Sequence, residues 1–470
     1  MKVLYAASEA YPFIKTGGLG DVAGALPAEL VKLGVDARVI LPYYSDIAEK
    51  YKSTMNYVGN LSVPVAWRNQ YCGVFEQSVG GVKYYFIDNE YYFKRAGIYG
   101  FYDDAERFAF FSRAVLEVLW LIDFYPDILH ANDWHTALIP VYLDAYYVER
   151  EEYKNIKTLF TIHNIEFQGK YGKEVLFDVL GLKKDKESIV DYAGCVNFMK
   201  GAIESANAVT TVSQSYAKEI LDPFYSYGLE SILRERSYKV SGVVNGIDVN
   251  LYNPAKDKSL FAKFDKKDPS KKAENKKGLC SMLNISYSED TPIIAMVTRL
   301  TEQKGMDLVM RVIEDILSRD VQLIILGTGD WRYETKLRDI ESRYPQKMKA
   351  LITFSADLAN KIYASADMFL MPSKFEPCGL SQMIAMRYGT IPIVRETGGL
   401  RDTVIPYDGQ KGTGFTFYSY NAYDMLGAID RAISEYKDTD SWAKLMKNAM
   451  SADFSWKKSA KEYVKIYEKI

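Results

Sequence analysis

The stretch KVLYAASEAYPFIKTGGLGDVAG, residues 2–24, decides the fold class, because an apolar run passes through a glycine-rich segment into a helical pattern. Residues 2–7 predict a buried strand, and the glycines at 17, 18 and 20 let a ligand approach the backbone closely. Lys15 adds a positive charge just before the predicted helix, whose N-terminus favours an anion. The spacing matches neither G-x-G-x-x-G nor a Walker loop. The segment therefore predicts either a tight structural turn or a phosphate or sugar site.

The same alternation of strand and helix continues along the chain and predicts parallel α/β layering. The first series has predicted strands at 2–7, 37–41, 128–131, 158–162 and 208–212. The second series has predicted strands at 293–297, 321–326, 351–354, 368–371 and 391–394. Between 61 and 87, three strand-like pieces follow one another without a helix, which predicts hairpin-like strands attached to the first sheet.

These two series predict two doubly wound α/β domains of similar size. We predict an N-terminal domain at 1–242, a C-terminal domain at 243–454 and a final helix at 455–470 that crosses back to the first domain. Ligands of such sheets bind at the carboxyl ends of the strands, so we expect the two domains to face a central cleft. Such a cleft suits an enzyme that joins two large substrates, although a fold alone does not establish function. The lysine-rich stretch 262–278 between the series predicts a solvated linker or helix face.

Composition narrows the class of protein further. Of 470 residues, 48% are apolar and 26% are charged, which excludes a disordered or fibrous chain. The net charge of −2 gives no basic excess for a nucleic-acid partner. Four cysteines without a C-x-x-C motif, and only three histidines, point to neither a disulfide framework nor a metal centre. Because no apolar run would cross a membrane and no signal peptide is recognisable, we expect a cytoplasmic protein without a membrane partner.

The second series carries residues suited to phosphate and sugar chemistry. Arg299 and Lys304, five residues apart beyond a strand, could neutralise a diphosphate or be two surface cations. Glu376 joins a strand to a helix, where a carboxylate can bind sugar hydroxyls or oppose a developing positive charge. Gly398 and Gly399 open another helix and predict further backbone N–H groups for phosphate.

Seven motifs in order along nearly the whole chain carry a family resemblance. They are KTGGLGDV (15–22), HANDWH (130–135), TIHN (161–164), VVNGID (243–248), TRLTEQKG (298–305), PSKFEPCGL (372–380) and TGGLRDTV (397–404). This series resembles bacterial glycogen synthases and plant starch synthases. The resemblance implies a glycosyltransferase of the GT-B fold, with two Rossmann-like domains, that extends α-1,4-glucans from ADP-glucose with retention of configuration. Position 384, eight residues after Glu376, is isoleucine, so the second glutamate of the E-x7-E transferases is absent.

The resemblance also implies roles for individual residues. Catalytic roles fall to Arg299 and Lys304 at the diphosphate, to His163 and Asp133 at the donor glucose, and to Glu376, either as nucleophile or as sugar binder. Substrate-binding roles include Lys15 at the sugar nucleotide, Asn245 at the glucose and Phe354 stacked on the nucleobase. The remaining predicted substrate-binding residues are Gly17, Gly18, Cys378, Gly379, Gly398 and Gly399. No metal and no cofactor are implied; the partners are ADP-glucose and glycogen.

Several alternatives remain beside this prediction. His130 and His135 are interpreted as hydrogen-bonded structural residues, and Asp438–Asp440 as a surface loop rather than a D-x-D metal motif.

A transferase that uses UDP-glucose or a small acceptor is one alternative function, and a non-catalytic glucan-binding protein of the same fold is another. A nicotinamide dehydrogenase is disfavoured because its glycine fingerprint is missing. Since the predicted groups divide between the two halves, we expect ligand-driven closure. The oligomeric state stays open.

Overall fold

The computed structural model describes residues 1–470, and the chain divides into two compact units. Unit 1 comprises Met1–Val243 together with Trp456–Ile470, and unit 2 comprises Val244–Ser455. The central strand of each unit is buried along almost its whole length, which is typical of a parallel sheet covered on both faces. The α/β fold class predicted from the sequence is confirmed.

Unit 1 is built on a nine-stranded sheet in the order β12-β11-β7-β6-β1-β2-β5-β4-β3, and β8 to β10 form a separate small sheet. The strands are β1 (Lys2–Ala6), β2 (Asp36–Pro42), β3 (Asn56–Val65), β4 (Arg68–Val79), β5 (Val82–Asp88), β6 (Ile128–Asn132), β7 (Lys157–Ile162), β8 (Lys170–Tyr171), β9 (Asp191–Tyr192), β10 (Cys195–Asn197), β11 (Ala208–Thr211) and β12 (Val240–Gly242). In the large sheet β4 runs opposite to the other eight strands and is antiparallel to both β3 and β5. The hairpin-like strands predicted within 61–87 are therefore confirmed, although they extend further, over 56–88.

Helices connect these strands. They are α1 (Gly18–Lys32), α2 (Glu49–Lys52), α3 (Glu90–Phe93), α4 (Asp104–Glu117), α5 (Leu138–Tyr142), α6 (Phe198–Ser205), α7 (Gln214–Glu219) and α8 (Glu230–Glu235), with 3-10 turns at Trp134–Thr136, Glu187–Ile189 and Ser237–Lys239 and π turns at Leu143–Tyr147 and Leu176–Leu180. The C-terminal helix, Trp456–Lys469, belongs to unit 1 and packs on α1. Its Tyr467 hydroxyl lies 2.8 Å from Nδ1 of His130 on β6, so the last helix is tied to the core of the sheet.

Unit 2 has a six-stranded parallel sheet in the order β15-β14-β13-β16-β17-β18. The strands are β13 (Ile293–Val297), β14 (Gln322–Leu326), β15 (Met348–Leu351), β16 (Met368–Met371), β17 (Ile391–Arg395) and β18 (Phe415–Phe417). The helices are α9 (Lys272–Leu283), α10 (Met306–Ser318), α11 (Trp331–Arg343), α12 (Ala356–Ser365), α13 (Ser381–Arg387), α14 (Gly398–Thr403), α15 (Ala422–Tyr436) and α16 (Thr439–Ser451), with a 3-10 turn at Glu302–Lys304. Numbered within the unit, the strands follow the order 3-2-1-4-5-6 of the Rossmann fold.

Two local predictions need correction. The strand predicted at 351–354 lies at Met348–Leu351, which leaves Phe354 in the loop before α12. In the lysine-rich stretch, Lys272 and Lys276 on α9 are buried rather than solvated. The Lys272 ammonium donates to the carbonyls of Ala364 and Tyr388 at the ends of α12 and α13, so those acceptors offset its loss of water.

Three further features bear on the predicted class of protein. The four cysteines form no disulfide. Asp438–Asp440 is exposed, but instead of a loop it begins α16, where the Asp438 carboxylate accepts from the N–H of Ser441 at 3.0 Å. A membrane-crossing helix is not found, since none in the chain is both long and apolar enough.

Candidate functional site

In each sheet the strand order reverses at the first strand, β1 or β13, and several of the predicted site residues lie beside these two switch points. In unit 1, β1 pairs with β2 on one side and β6 on the other, and the glycine-rich segment and Asp133 follow β1 and β6. In unit 2, β13 lies between β14 and β16, and Arg299 and Glu376 follow β13 and β16. Open α/β sheets bind ligands in the crevice at such a switch point, at the carboxyl ends of the strands.

A buried carboxylate organises the glycine-rich segment of unit 1. Glu9 is 2% exposed, and its Oε2 accepts from the N–H and the hydroxyl of Thr16 at 2.5 and 2.7 Å. Its Oε1 accepts from the N–H of Gly20 at 3.1 Å. Burial raises the pKa of Glu9, and these hydrogen bonds act in the opposite direction. The N-terminus of α1 is thus partly satisfied by the protein's own carboxylate, which the sequence did not point to.

Gly17 and Gly18, by contrast, are not needed by the protein's own packing. Neither has a positive φ; a Cβ on Gly18 would meet nothing within 4 Å, and one on Gly17 would lie 3.8 Å from Glu9 Oε1. At Gly24 in the same helix, a Cβ would lie 2.5 Å from the carbonyl oxygen of Tyr11. Gly24 is therefore a packing glycine, whereas the space beside Gly18 is open to a ligand.

Lys15 lies on the surface of the same segment. Its Nζ forms an ion pair of 2.6 Å with Oδ1 of Asp21, and 41% of the Lys15 side chain is exposed. An exposed pair of this kind stabilises a fold by about 0–1 kcal/mol, so it is easily exchanged for another anion. The structure thus leaves Lys15 available to a negatively charged ligand.

Asp133 and His163 are brought together at the ends of β6 and β7. Asp133 has a φ of 56°, a conformation uncommon outside glycine, and its Oδ1 accepts from the N–H of His163 at 2.8 Å. Burial raises the pKa of Asp133 to about 7, while backbone hydrogen bonds from His163 and Asn164 lower it. The carboxyl group is therefore held in one orientation and titrates near neutral pH.

The protonation state of His163 follows from its partner, Asn132. The amide nitrogen of Asn132 donates to the carbonyls of Ala6 and His130 at 3.1 and 3.2 Å, which identifies its other side-chain atom as the oxygen. Nε2 of His163 lies 2.9 Å from that oxygen and therefore donates to it. Burial lowers the pKa of His163 to about 3, so the ring is neutral and Nδ1 remains an acceptor.

The other two histidines of unit 1 have structural positions. His130 is fully buried, and its Nε2 lies 2.7 Å from the hydroxyl of Thr161, so the prediction for His130 is confirmed. The ring of His135 stacks on that of Tyr99, with centroids 4.4 Å apart. Its Nδ1 is buried without a hydrogen-bond partner, so the His135 ring is held by packing, and the hydrogen bonding predicted for His135 is not found at this atom.

In unit 2 the central feature is an ion pair between Lys304 and Glu376. Lys304 Nζ lies 2.6 Å from Oε2 of Glu376, and the two side chains are 17% and 7% exposed. The hydroxyl of Ser373 donates to the same oxygen at 3.0 Å. Gly305, with a φ of 76°, lets the Lys304 turn approach this loop, since a Cβ there would lie 2.2 Å from the carbonyl oxygen of Pro372. The two loops are therefore packed backbone to backbone.

Arg299 is exposed and stands apart from this pair. Its guanidinium forms no ion pair or hydrogen bond within the chain, although it leaves the same strand that leads to Lys304. Phe354 is likewise isolated, 92% exposed in the loop between β15 and α12. The structure thus presents a free cation and a free aromatic ring at the carboxyl edge of the unit 2 sheet.

Gly398 and Gly399 allow α14 to pack on the Glu376 loop. A Cβ on Gly398 would lie 2.0 Å from the carbonyl oxygen of Glu376, and one on Gly399 would lie 2.1 Å from that of Cys378. The N–H of Gly399 donates to the Glu376 carbonyl at 3.1 Å and is therefore already engaged. Both glycines hold Glu376 in place through the backbone.

The remaining predicted residues of unit 2 surround Cys378. Its thiol is 6% exposed, and burial raises its pKa to about 12 despite a hydrogen bond from the backbone of Asn245. Gly379 follows with a φ of 73°, which favours glycine. Asn245 is also buried, and its side-chain oxygen has no hydrogen-bond partner in the protein. That unpaired acceptor is suited to a hydroxyl group of a ligand.

Ser373 and Asn132 lie inside motifs that the sequence analysis singled out, yet their roles were not evident, since the sequence does not reveal which group a polar loop residue contacts.

No group of three or more His, Cys, Asp or Glu side chains is arranged to hold a metal ion. The polar groups available to a ligand include Arg299, Lys304 and the unpaired oxygen of Asn245 in unit 2. In unit 1 they include Lys15, Asp133 and the neutral ring of His163.

Comparisons with known proteins identify the family of the chain. The family model of the starch synthase catalytic domain matches residues 2–235, and that of glycosyl transferases group 1 matches residues 284–449. Glycogen synthase of Clostridioides difficile is 50% identical, with all of both chains covered. Glycogen synthase of Anoxybacillus flavithermus is 51% identical, with 100% of this chain and 98% of the relative covered.

Solved structures give the same result. The catalytic domain of starch synthase IV from Arabidopsis thaliana, bound to ADP and acarbose, is 35% identical, with a TM-score of 0.90 over 99% of this chain and 98% of that one. Sucrose-phosphate synthase from Thermosynechococcus elongatus, 16% identical with a TM-score of 0.63 over 100% and 98% of the chains, shares the fold alone. The chain belongs to the glycogen synthase and starch synthase family of GT-B glycosyltransferases.

Proposed function

We propose that this protein transfers glucose from ADP-glucose to the non-reducing end of an α-1,4-glucan, with retention of configuration. The observation that carries the proposal is the Lys304–Glu376 pair at the unit 2 switch point, with the unpaired Arg299 on the loop that follows the same strand. The starch synthase of the same family bound to ADP and acarbose supports a nucleoside diphosphate and a glucan as ligands.

Departure of ADP is the step at which the two cations act. As the bond between glucose and phosphate breaks, negative charge grows on the diphosphate, and fixed positive groups stabilise that charge. Arg299 can bind phosphate without breaking an ion pair, and Lys304 is held in place by Glu376. We assign Arg299 and Lys304 to the diphosphate, with Lys304 the better oriented of the two.

Glu376 is better suited to positioning than to nucleophilic attack. Its Oε2 is bonded to both Lys304 and Ser373, and such contacts lower the reactivity of a carboxylate oxygen. Retention then follows from same-face attack, in which the acceptor hydroxyl enters beside the leaving phosphate and gives its proton to that phosphate. In this mechanism Glu376 orients Lys304 and binds a hydroxyl of the sugar.

The groups of unit 1 are assigned to the donor glucose. Neutral His163 presents Nδ1 as an acceptor, which suits a sugar hydroxyl better than a phosphate. Asp133, fixed by the N–H of His163, offers a second acceptor when ionised. The open space beside Gly18 and the exposed Lys15 fit the close approach of a nucleotide sugar.

Parallel assays test the proposal. Glucose transfer to glycogen is measured with ADP-glucose and UDP-glucose under the same conditions, and the product is digested with β-amylase to identify α-1,4 linkages. Glu376→Gln, which keeps the shape of the side chain, serves as the inactive control. Equal or faster turnover with UDP-glucose would overturn the donor assignment. Glucan binding without transfer would indicate a non-catalytic protein.

A further inference from the structure

An exposed tryptophan at the carboxyl edge of the unit 2 sheet has no partner in the protein. Trp331 is the first residue of α11, and its side chain is 72% exposed. Its ring contacts no other aromatic ring and no cation of the chain. A large aromatic side chain exposed at a ligand-binding edge is available to stack on a ligand.

Trp331 and Phe354 follow neighbouring strands. Leu326 at the end of β14 pairs with Leu351 at the end of β15, and the N–H of Gly327 donates to the carbonyl of Leu351 at 3.1 Å. The chain reaches Trp331 shortly after the first strand and Phe354 shortly after the second. Both exposed rings therefore lie above one edge of one sheet.

The segment that leads to Trp331 is packed on the segment that carries Arg299. A Cβ on Gly327 would lie 1.8 Å from the carbonyl oxygen of Thr298, and one on Gly329 would lie 2.4 Å from that of Leu300. The N–H of Leu300 donates to the carbonyl of Thr328 at 2.9 Å. The two loops are thus joined through their backbones, which fixes Trp331 relative to the loop assigned to the diphosphate.

Helix direction sets where the indole points. Side chains of a helix lean towards its N-terminus, and α11 begins at the carboxyl edge of the sheet, so Trp331 extends beyond that edge. Its neighbours Asp330 and Arg332 are bonded to each other, since the N–H of Arg332 donates to Oδ1 of Asp330 at 2.9 Å. They leave the indole uncovered.

We propose that Trp331 is a donor-binding residue that contacts the nucleoside of the nucleotide sugar, next to the ring of Phe354. This rests on the proposed function, and it adds a second aromatic contact to the one expected at Phe354. A purine presents two faces and an edge, so one ring can stack on the base while the other packs against its edge or the ribose. Replacing the ring by a small side chain removes such stacking, whereas another aromatic ring preserves it.

The test compares Trp331→Ala, Trp331→Phe and Phe354→Ala in the full chain, with Trp120→Ala as the matched control. Trp120 is 57% exposed, after α4 in unit 1 and away from the carboxyl ends of the strands. Binding of ADP and of inorganic pyrophosphate is measured by calorimetry, and KM and kcat are measured for ADP-glucose. ADP binding is also followed by fluorescence of the six tryptophans.

We expect Trp331→Ala to weaken ADP binding and raise the KM for ADP-glucose by about tenfold, with kcat and pyrophosphate binding nearly unchanged. Trp331→Phe keeps most of the affinity but loses the part of the ADP-induced fluorescence change that comes from this indole. Trp120→Ala behaves as wild type.

Three results would overturn the contact: unchanged ADP affinity in Trp331→Ala, equal losses of ADP and pyrophosphate affinity, or a change in the KM for glycogen alone. Transfer by the wild type, measured in the same series, separates the two proposals. Normal transfer with an unaffected Trp331→Ala rejects only the nucleoside contact, whereas no transfer from ADP-glucose rejects the proposed function.

Discussion

Both switch points lie beside the first strand of their sheet, but the loops around them carry different chemistry. In unit 1 the carboxyl ends of β1 and β6 carry buried or half-buried carboxylates, Glu9 and Asp133, with the neutral ring of His163. In unit 2 the corresponding ends carry the free cation Arg299 and the Lys304–Glu376 pair. The comparison illustrates that an open α/β sheet presents the loops at the carboxyl ends of its strands, while the side chains of those loops determine the chemistry presented there.

The largest effect should come from removing the cations of unit 2. Arg299→Ala and Lys304→Ala each remove charge stabilisation that grows as ADP departs, so kcat should fall by about 10²–10³-fold with a smaller change in KM. Steady-state kinetics with ADP-glucose measure this. Lys336→Ala, at an exposed lysine of α11, is the matched control. A near-wild-type kcat in either variant would contradict the assignment of that cation to the diphosphate.

The effects of Lys304 and Glu376 on the free energy of unfolding should also depend on each other. Glu376→Ala leaves the Lys304 ammonium, 17% exposed, without its partner, and the free energy of unfolding should fall by about 3 kcal/mol. Lys304→Ala combined with Glu376→Ala removes both charges and should recover much of that loss while remaining inactive. Denaturant unfolding of the four proteins of this cycle measures the coupling. Additive losses would show that the two side chains act independently.

A further effect concerns pH and belongs to unit 1. The pKa of Asp133 is about 7 in the folded protein and about 3.9 in an unfolded chain, so between these values the folded state binds more protons. Its contribution to stability therefore falls as pH rises from 4 to 7, by at most about 1.4 kcal/mol per pH unit. Asp133→Asn, which tolerates the positive φ, should flatten this part of the stability profile. An unchanged slope would contradict the assignment.

The smallest effects should separate the two kinds of glycine in α1. Gly18→Ala should leave the free energy of unfolding unchanged or raise it by about 0.5 kcal/mol, because a Cβ there meets nothing, yet it should raise the KM for ADP-glucose. Gly24→Ala should lower stability by about 1–3 kcal/mol, because its Cβ would overlap the carbonyl oxygen of Tyr11. Thermal unfolding and donor kinetics on both variants check this. Equal behaviour of the two would remove the argument for an open space beside Gly18.

The fold was predictable because its strands are regular. Parallel strands buried on both faces are continuous apolar runs, so β1, β6 and β13 could be located from the sequence alone. Phe354 shows the limit: ITF resembles the end of a strand, but the pairing of β15 with β14 stops at Leu351, and only the neighbouring strand determines that.

The candidate residues were predictable from motifs, but their environments were not. The carboxylate that folds the glycine-rich segment, Glu9, is seven residues from Thr16 in the chain, and nothing in the sequence joins them. Lys272 belongs to a run of lysines that is indistinguishable from a solvated one, because burial of a charge depends on carbonyls supplied by distant helix ends. The pKa shifts of Asp133 and His163 likewise arise from burial, which is a property of the folded chain.

The C-terminal helix has a consequence for biosynthesis. Residues 1–243 leave the ribosome long before Trp456–Ile470, yet both belong to unit 1, and the Tyr467 hydroxyl is the partner of His130 Nδ1. At about 5–20 residues per second, the intervening segment takes roughly 10–40 s to synthesise. During that time the nascent unit 1 exposes the face of α1 that the last helix will cover, and His130 lacks its hydroxyl partner. Unit 2, whose residues are contiguous in sequence, can finish folding first, although it is made second.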